Sequence, residues 1–111
     1  MNYLDILYPN GTSINTVTNI ERNTVPAYKS EVTTFFRMIE MYAADNNYNM
    51  LETYKMAHDD KQIATANWTQ IKRMLTCLSR AERISLNNNA RAIESSRIQR
   101  ILLRLKELAK N

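Results

Sequence analysis

Glycine and proline are almost absent from most of this 111-residue chain, and this scarcity constrains the fold more than any other feature. Gly11 is the only glycine, and both prolines, Pro9 and Pro26, lie in the first quarter. Glycine supplies positive-φ turns and close backbone approach to ligands, so a glycine-rich phosphate loop or a dinucleotide fold is excluded. Because proline interrupts helices, the remaining sequence is free to form them. The sequence therefore predicts a mainly α protein, folded as a single domain over residues 1–111.

Residues 1–25 are the exception, because their composition favours β-structure. Residues 3–8 are short, aromatic and apolar, and they are followed by an Asn10-Gly11 pair that accepts positive φ. Residues 13–20 are rich in β-branched side chains. We predict a β-hairpin arm over residues 1–25. A two-stranded hairpin is marginal in water, so this arm is expected to pack on the helices or to pair with another chain.

After the hairpin arm, residues 26–111 are predicted to form a small bundle of three to four helices. Apolar residues recur at three- and four-residue spacing over residues 30–44, which predicts the first helix. Asn49 and Glu52 have the spacing of a capping box, in which each side chain bonds the other's backbone N–H. A second, short helix should therefore follow Asn49.

The third and last helices carry the clearest apolar stripes. The third is expected to begin at Asp60 or, with Asn67 and Gln70 as a capping box, at Asn67. The last is expected over residues 90–109, and its short connection to the third favours a C-terminal antiparallel helical hairpin. The residues predicted to form the core are Leu75, Leu78, Ile101 and Leu105.

Residue types that carry catalysis or bind metals are too few for an enzyme or a metal site. His58 is the only histidine, so the His58-Asp59-Asp60 cluster cannot complete a metal-dependent phosphohydrolase site, and Asp59 or Asp60 is better explained as a helix N-cap. Cys77 is the only cysteine, and a single thiol makes neither a disulfide nor a zinc site. We predict a non-enzymatic protein with no catalytic residue, no metal and no cofactor.

Charge is strongly segregated along the chain. Residues 1–60 hold four basic and eight acidic side chains, a net charge of −4. Residues 61–111 hold eleven basic and three acidic side chains, a net charge of +8. A basic block on helical sequence suits a nucleic acid, an acidic protein surface, or the acidic half of a second copy of the chain.

Seven basic residues are the candidates for contact with nucleic acid or a partner. On the helical wheel, the members in the third helix oppose its apolar stripe and should meet solvent or phosphate. Those in the last helix flank its apolar seam, which favours contact between subunits. The seven are Lys72, Arg73, Arg80, Arg83, Arg97, Arg100 and Arg104. Four aromatic residues could stack on bases, but helical spacing among apolar neighbours favours the core for them: Tyr42, Tyr48, Tyr54 and Trp68.

These features favour a small viral or phage-type structural or assembly protein that forms homo-oligomers through apolar seams and oppositely charged halves. Asparagine runs at residues 46–47 and 87–89 and the low glycine content give the chain a generic resemblance to small helical phage or viral proteins. The alternatives are a nucleic-acid-binding regulator and an inhibitor that docks on a host protein. No apolar run approaches the roughly 18 residues of a membrane span, so a cytoplasmic location is expected, in the host cytoplasm or the virion if the protein is viral.

Overall fold

The structure, a computed structural model, describes residues 2–18 and 26–110, and these are mainly α-helical as the sequence predicts. Within those ranges the chain forms seven α-helices, a 3-10 turn at Pro9–Gly11 and no β-strand. The helices are α1 (Tyr3–Leu7), α2 (Ser30–Tyr42), α3 (Met50–Ala57), α4 (Asp60–Thr65), α5 (Trp68–Ala81), α6 (Asn88–Glu94) and α7 (Arg97–Ala109). The expected count of three to four helices is wrong, because an additional helix forms at the N-terminus and the last two predicted helices are each interrupted.

The β-hairpin predicted over residues 1–25 is wrong. Its first strand is instead helix α1, which Asn2 caps: the Asn2 side-chain oxygen accepts from the Leu4 N–H at 3.1 Å, and its amide donates to Asp5 at 2.9 Å. An asparagine at the N-cap and an acidic residue in the first turn are strong helix-start signals. They outweigh the β-propensity of the aromatic and apolar residues that follow.

The Asn10-Gly11 pair still reverses the chain, as its composition predicts. Both residues take positive φ, 58° and 82°. After the turn, the Ile14 N–H donates to the Leu7 carbonyl at 2.9 Å. The turn chemistry is therefore present, but it connects a helix to an extended segment.

The β-branched segment after this turn pairs with a different part of the chain from the one predicted. Val17 forms an isolated antiparallel bridge with Tyr28, flanked by bonds from Thr18 N–H to Ala27 O (2.7 Å) and from Lys29 N–H to Thr16 O (2.9 Å). The rest of the predicted second strand, residues 19–20, lies outside the described residues.

Helix α5 forms the centre of the hydrophobic core and contacts α2, α3, α6 and α7. Three of the residues predicted for the core, Leu75, Leu78 and Ile101, are buried, which confirms the prediction. Leu105 is only partly buried and packs against the same cluster. The buried residues of α5 are Ile71, Met74, Leu75, Thr76, Cys77, Leu78 and Ala81.

Two of the aromatic residues predicted for the core are exposed. Trp68 is 48% exposed and Tyr42 is 78% exposed. Trp68 is the first residue of α5 and Tyr42 is the last of α2, so both project beyond the packed middle of their helices. Tyr48 and Tyr54 are half-buried, and Tyr54 packs against the core.

Short-range caps define the central helices as the sequence predicts. Asn67 and Gln70 form the complete capping box at the start of α5, with bonds of 2.8 and 2.9 Å. The Asn49 side chain accepts from the Glu52 N–H at 3.0 Å and begins α3. Asp59 caps α4 by accepting from two backbone N–H groups, which confirms the structural interpretation of the acidic pair beside His58.

The single last helix predicted over residues 90–109 is wrong, because the chain breaks at Ser96, which takes a φ of 66°. Tyr8 holds the two sides of this break together. Its hydroxyl donates to the Ile93 carbonyl at 2.6 Å and accepts from the Gln99 N–H at 3.2 Å. One buried phenol thus satisfies the end of α6 and the start of α7, and burial raises its pKa. We call this arrangement the Tyr8 clasp.

The start of α6 is likewise capped from outside the helix. The Glu82 carboxylate accepts from the backbone N–H groups of Asn87 (3.0 Å) and Asn89 (2.8 Å), and from the Tyr28 hydroxyl (2.9 Å). Burial, and next the bond to Glu82, raise the pKa of Tyr28. The segment before α2 is therefore tied to the connection between α5 and α6.

Candidate anion-binding site

Six of the seven predicted basic residues fall on two helices that contact each other, three on α5 and three on α7, and Arg83 lies just after the end of α5. That these residues bind nucleic acid or a partner stays a prediction. The structure shows which residues of the same chain each of their side chains contacts. On that criterion, both helices carry paired and unpaired basic residues.

Arginines on α5 are paired with acidic residues from the first 60 residues. Arg73 Nε lies 3.2 Å from an Asp45 carboxylate oxygen, and Arg80 Nη2 lies 3.3 Å from a Glu40 carboxylate oxygen. The backbone N–H of Asn47 and, more weakly, Arg73 hold the pKa of Asp45 below its usual range. The hydrogen bond to Glu40 raises the pKa of Arg80. Opposite charges from the two halves of the sequence therefore meet within one chain.

Lys72 on α5 and Arg83 just after it have no carboxylate partner among the described residues. Lys72 is half-buried, and its ammonium lies 5.8 Å from the centre of the Trp68 ring, in range of a cation–π interaction. Arg83 is exposed, which is consistent with a solvated side chain.

On α7, two of the three arginines also have partners. Arg100 Nη1 lies 3.2 Å from Asp60, and both side chains are largely exposed. Arg104 donates to the Ala66 carbonyl at 2.8 Å and pairs with Glu107 at 3.2 Å. Arg104 therefore joins α7 to the connection between α4 and α5. Its position beside the apolar seam on the helical wheel did not predict this structural role.

Arg97 differs from all of these residues. It is the first residue of α7 and is half-buried, yet its guanidinium forms no hydrogen bond or ion pair with any described residue. Burial lowers its pKa, and the nearby positive charges of Arg100 and Arg91 lower it further. Tyr54 is the group that most opposes this shift. Arg97 is thus a partly desolvated cation without a counter-charge.

Arg97 lines a pocket of about 490 Å³ formed by α3, α6 and the start of α7. We call it the Arg97 pocket. Its lining residues are Tyr54, His58, Asn88, Arg91, Glu94, Ser95 and Arg97.

The aromatic wall of the Arg97 pocket is held in place by hydrogen bonds. The Tyr54 hydroxyl donates to the Asn88 side-chain oxygen at 3.3 Å, and the Asn88 amide donates to the Leu78 carbonyl at 3.1 Å. The His58 ring lies against the Tyr54 ring, with centroids 4.2 Å apart. The wall is therefore anchored to the core helix through the buried Asn88.

Two guanidinium groups face the Arg97 pocket against one carboxylate. Arg91 donates to the Leu86 carbonyl (3.3 Å) and the Ser85 hydroxyl (2.8 Å), contacts that fix it without neutralising its charge. Glu94 accepts from the Thr16 hydroxyl at 3.0 Å. In the part of the chain that the structure describes, no carboxylate lies within ion-pair distance of either guanidinium. The pocket therefore has a net positive charge.

Sequence reasoning selected Arg97 but missed the residues around it. Arg91 is six positions before Arg97, a spacing that places them on different faces of the single helix predicted there. The break at Ser96 brings both to one pocket. His58 was interpreted as part of a structural cluster and Tyr54 as a core residue. The unusual density of basic residues after position 90 was the available signal.

The described residues contain no group of three or more histidine, cysteine, aspartate or glutamate side chains able to hold a metal ion. Cys77 is fully buried in α5, and burial raises the pKa of its thiol. A buried thiol with a raised pKa is a poor nucleophile. None of the helices in the described ranges is long and apolar enough to cross a membrane.

Comparison of the chain with curated proteins and with solved structures finds no match. One family model does match, over residues 4–111, and it therefore covers nearly the whole chain. The chain belongs to DUF6508, a family of unknown function.

Proposed function

We propose that this protein is a non-enzymatic nucleic-acid-binding protein whose contact surface is centred on the Arg97 pocket. The observation that carries this proposal is the half-buried Arg97 guanidinium without a carboxylate partner, beside Arg91. A cation removed from water without a counter-charge is destabilising, so folded proteins usually pair or expose it. A phosphate in the pocket would supply the missing negative charge and accept from the donors of both arginines.

Nucleic acid is the anion we favour because its phosphates repeat along a chain and the positive charge here is spread over many side chains. Residues 61–111 carry a net charge of +8. Arg83 is exposed, and Arg100 is held only by an exposed ion pair with Asp60, which is weak and can be exchanged for a phosphate. These side chains can add contacts outside the pocket, and such contacts give affinity without sequence specificity.

The proposal is tested by fluorescence anisotropy with single-stranded and duplex DNA over a salt series. The Arg91→Gln/Arg97→Gln variant should weaken binding at least about tenfold, since two charge-assisted contacts are lost. It should also flatten the slope of log K against log salt by about one per lost contact. Arg37→Gln/Lys110→Gln is the matched control: it removes the same charge from two exposed positions that do not line the pocket. Absence of salt-sensitive binding by the unmodified protein would overturn the proposal.

Self-assembly is the second candidate, and an apolar groove between α1, α2 and α7 favours it. The groove has a volume of about 790 Å³. Its apolar lining residues are Tyr3, Leu4, Met38, Leu102, Leu105 and Ala109. Lys106 and Asn2 also line it, and Asn2 is bonded to Asp5. A two-fold contact would bring the Lys106 of one copy towards the Asp5 of the other, so the occupant we propose is a second copy of this chain.

Self-assembly is the second candidate because the structure does not support the two sequence features that favoured it, the hairpin arm and an apolar seam free to meet another subunit. The predicted hairpin does not form in the described part of residues 1–25, and the apolar residues Ile98 and Ile101 of the last helix are buried in the chain's own core. Light scattering tests the groove directly. Ala109→Arg places a large side chain in the groove and should convert a dimer to a monomer, whereas Ala44→Arg, at an exposed site outside the groove, should not. A monomer at high protein concentration for the unmodified chain would exclude this role.

The location that goes with these proposals is the cytoplasm, or the host cytoplasm or virion if the gene is viral. In both roles the protein acts by binding and performs no chemical step. Docking on a host protein as an inhibitor would leave the Arg97 pocket without a phosphate ligand, so the anisotropy experiment also separates that role from the leading proposal.

A further inference from the structure

Resting on the proposed function, we infer that the Arg97 pocket binds the terminal phosphate of a nucleic-acid strand, so that the protein prefers strand ends that carry a phosphate monoester. The pocket is a local concavity bounded by α3, α6 and α7. A phosphate inside a strand needs room for the chain to enter and to leave. A terminal phosphate needs only one such path, so it can sit between the lining residues with more of its oxygens facing them.

The charge of the pocket also suits a terminal phosphate. A phosphate monoester carries about −1.5 to −2 at pH 7, whereas each internal phosphate of a strand carries one negative charge. The pocket presents Arg91 and Arg97 against the single carboxylate of Glu94. The greater negative charge of the monoester is attracted more strongly by the two guanidiniums, and with two cations against one carboxylate this gain exceeds the added repulsion by Glu94.

Donor geometry supports the same ligand. A guanidinium presents five N–H donors in a planar fork that matches phosphate oxygens. All of the Arg97 donors are free of partners among the described residues, and Arg91 uses single bonds from two of its nitrogens. A phosphate bound in the pocket can accept from the free donors of these groups, and a monoester offers three terminal oxygens where an internal phosphate offers two.

The aromatic wall of the pocket gives the rest of the terminal nucleotide a surface. The Tyr54 and His58 rings, which are in contact at an interplanar angle of 42°, line the same pocket as the two arginines. Stacking of a base on an aromatic side chain contributes about 1–3 kcal/mol and tolerates any base. The pocket thus combines a phosphate seat with a sequence-neutral stacking surface, which is what recognition of a strand end requires.

The experiment compares three single-stranded DNA molecules of one sequence, which end in a 5′-hydroxyl, a 5′-phosphate or a 3′-phosphate, each labelled at the end opposite the one tested. At least one phosphate-ended strand should bind the unmodified protein about tenfold or more tightly than the hydroxyl-ended strand, as expected for a charge-assisted contact. Arg97→Gln should abolish this preference and leave the weaker binding of the hydroxyl-ended strand. Arg37→Gln/Lys110→Gln should keep the preference.

The other possible results distinguish a failure of this inference from a failure of the proposed function. Equal affinity for all three strands, with salt-sensitive binding retained, would overturn the inference and leave the proposed function standing. No binding of any strand would overturn the proposed function. Because the Arg97 guanidinium makes no hydrogen bond within the described chain, Arg97→Gln should fold normally, and a thermal melt checks this. Arg97→Lys, which keeps the charge but loses the fork, should show an intermediate preference.

Discussion

The arginines of α5 and those that line the Arg97 pocket all come from the basic part of the sequence, but they differ in whether they have a carboxylate partner within the chain. Arg73 and Arg80 lie opposite the apolar stripe of their helix, yet each is paired with an acidic residue from the first half of the chain. Arg91 and Arg97 lie near the apolar seam of α6 and α7 and have no carboxylate partner among the described residues. Side-chain charge is therefore a poor guide to ligand binding until the intrachain partner of each side chain is known.

The contrast also explains why the two halves of the sequence have opposite charge. Asp45, Glu40 and Asp60 from the acidic half each pair with an arginine from the basic half. Some of the opposite charges are thus used for folding within one chain. Of the basic side chains without an ion pair among the described residues, Arg91 and Arg97 lie near the break between α6 and α7 and share one pocket.

The largest expected effect concerns the core helix that carries one of the two arginine groups. Leu78→Ala should lower the free energy of unfolding by about 2–5 kcal/mol, because Leu78 is fully buried and the change leaves a cavity. Chemical denaturation measures the loss. Leu86→Ala, at an exposed position, is the control and should change stability by less than about 0.5 kcal/mol. Similar losses for the two variants would show that α5 is not the centre of the core.

The Tyr8 clasp allows the α6–α7 side to be perturbed alone. Tyr8→Phe removes the hydroxyl that serves the Ile93 carbonyl and the Gln99 N–H, so it should destabilise the protein by about 1–3 kcal/mol. It should also weaken anion binding, since the clasp holds the break that brings Arg91 and Arg97 together. Tyr42→Phe, at an exposed position, is the matched control. Unchanged stability and binding in Tyr8→Phe would contradict the role of the clasp.

Stability measurements on single arginine variants test whether a paired arginine contributes more to folding than an unpaired one. Arg80→Gln leaves Glu40 without its ion-pair partner, so it should destabilise the protein by up to about 1 kcal/mol. Arg97→Gln removes a partly buried charge that has no partner, so it should leave stability unchanged or slightly increase it. Thermal melts without any ligand compare the two. A larger loss for Arg97→Gln than for Arg80→Gln would show that Arg97 serves the fold.

The smallest expected effect is a difference in acid sensitivity. Asp45 has a lowered pKa in the folded chain, so its contribution to stability is present above the unfolded pKa of about 4 and is lost as the pH falls through the folded value. Asp45→Asn should therefore reduce the loss of stability below about pH 4. Arg73→Gln should keep most of that loss, since the Asn47 N–H is the larger cause of the shift. Identical acid unfolding of Asp45→Asn and the unmodified protein would contradict this account.

Local signals were enough to predict the caps and most of the core. Asn49, Asp59 and Asn67 act on N–H groups two or three positions away, so a short stretch of sequence contains both partners. The apolar stripe of α5 likewise predicted that Leu75 and Leu78 are buried. The spacing of apolar residues shows which face of one helix is buried, and a cap involves only neighbouring residues, so both can be predicted from a short stretch of sequence.

The features that the sequence could not predict depend on contacts between distant residues. Tyr8 satisfies groups that are 85 and 91 positions away, and nothing near Ser96 reveals that a partner for a broken helix exists. Without that break, Arg91 and Arg97 would lie on different faces of one helix. The candidate site therefore became visible only when the tertiary structure was known, whereas the basic character of the region was evident from the sequence.

The Tyr8 clasp has a consequence for the order of events when the protein is made. Gln99 follows Tyr8 by 91 positions, and synthesis proceeds at about 5–20 residues per second. Until Gln99 has been made, the phenol lacks one of its two partners and cannot join the two sides of the bend between α6 and α7. Helix α1 can contact α2 earlier, but a nascent chain stalled just before Gln99 would lack the complete clasp even though all the residues that line the Arg97 pocket had already been made.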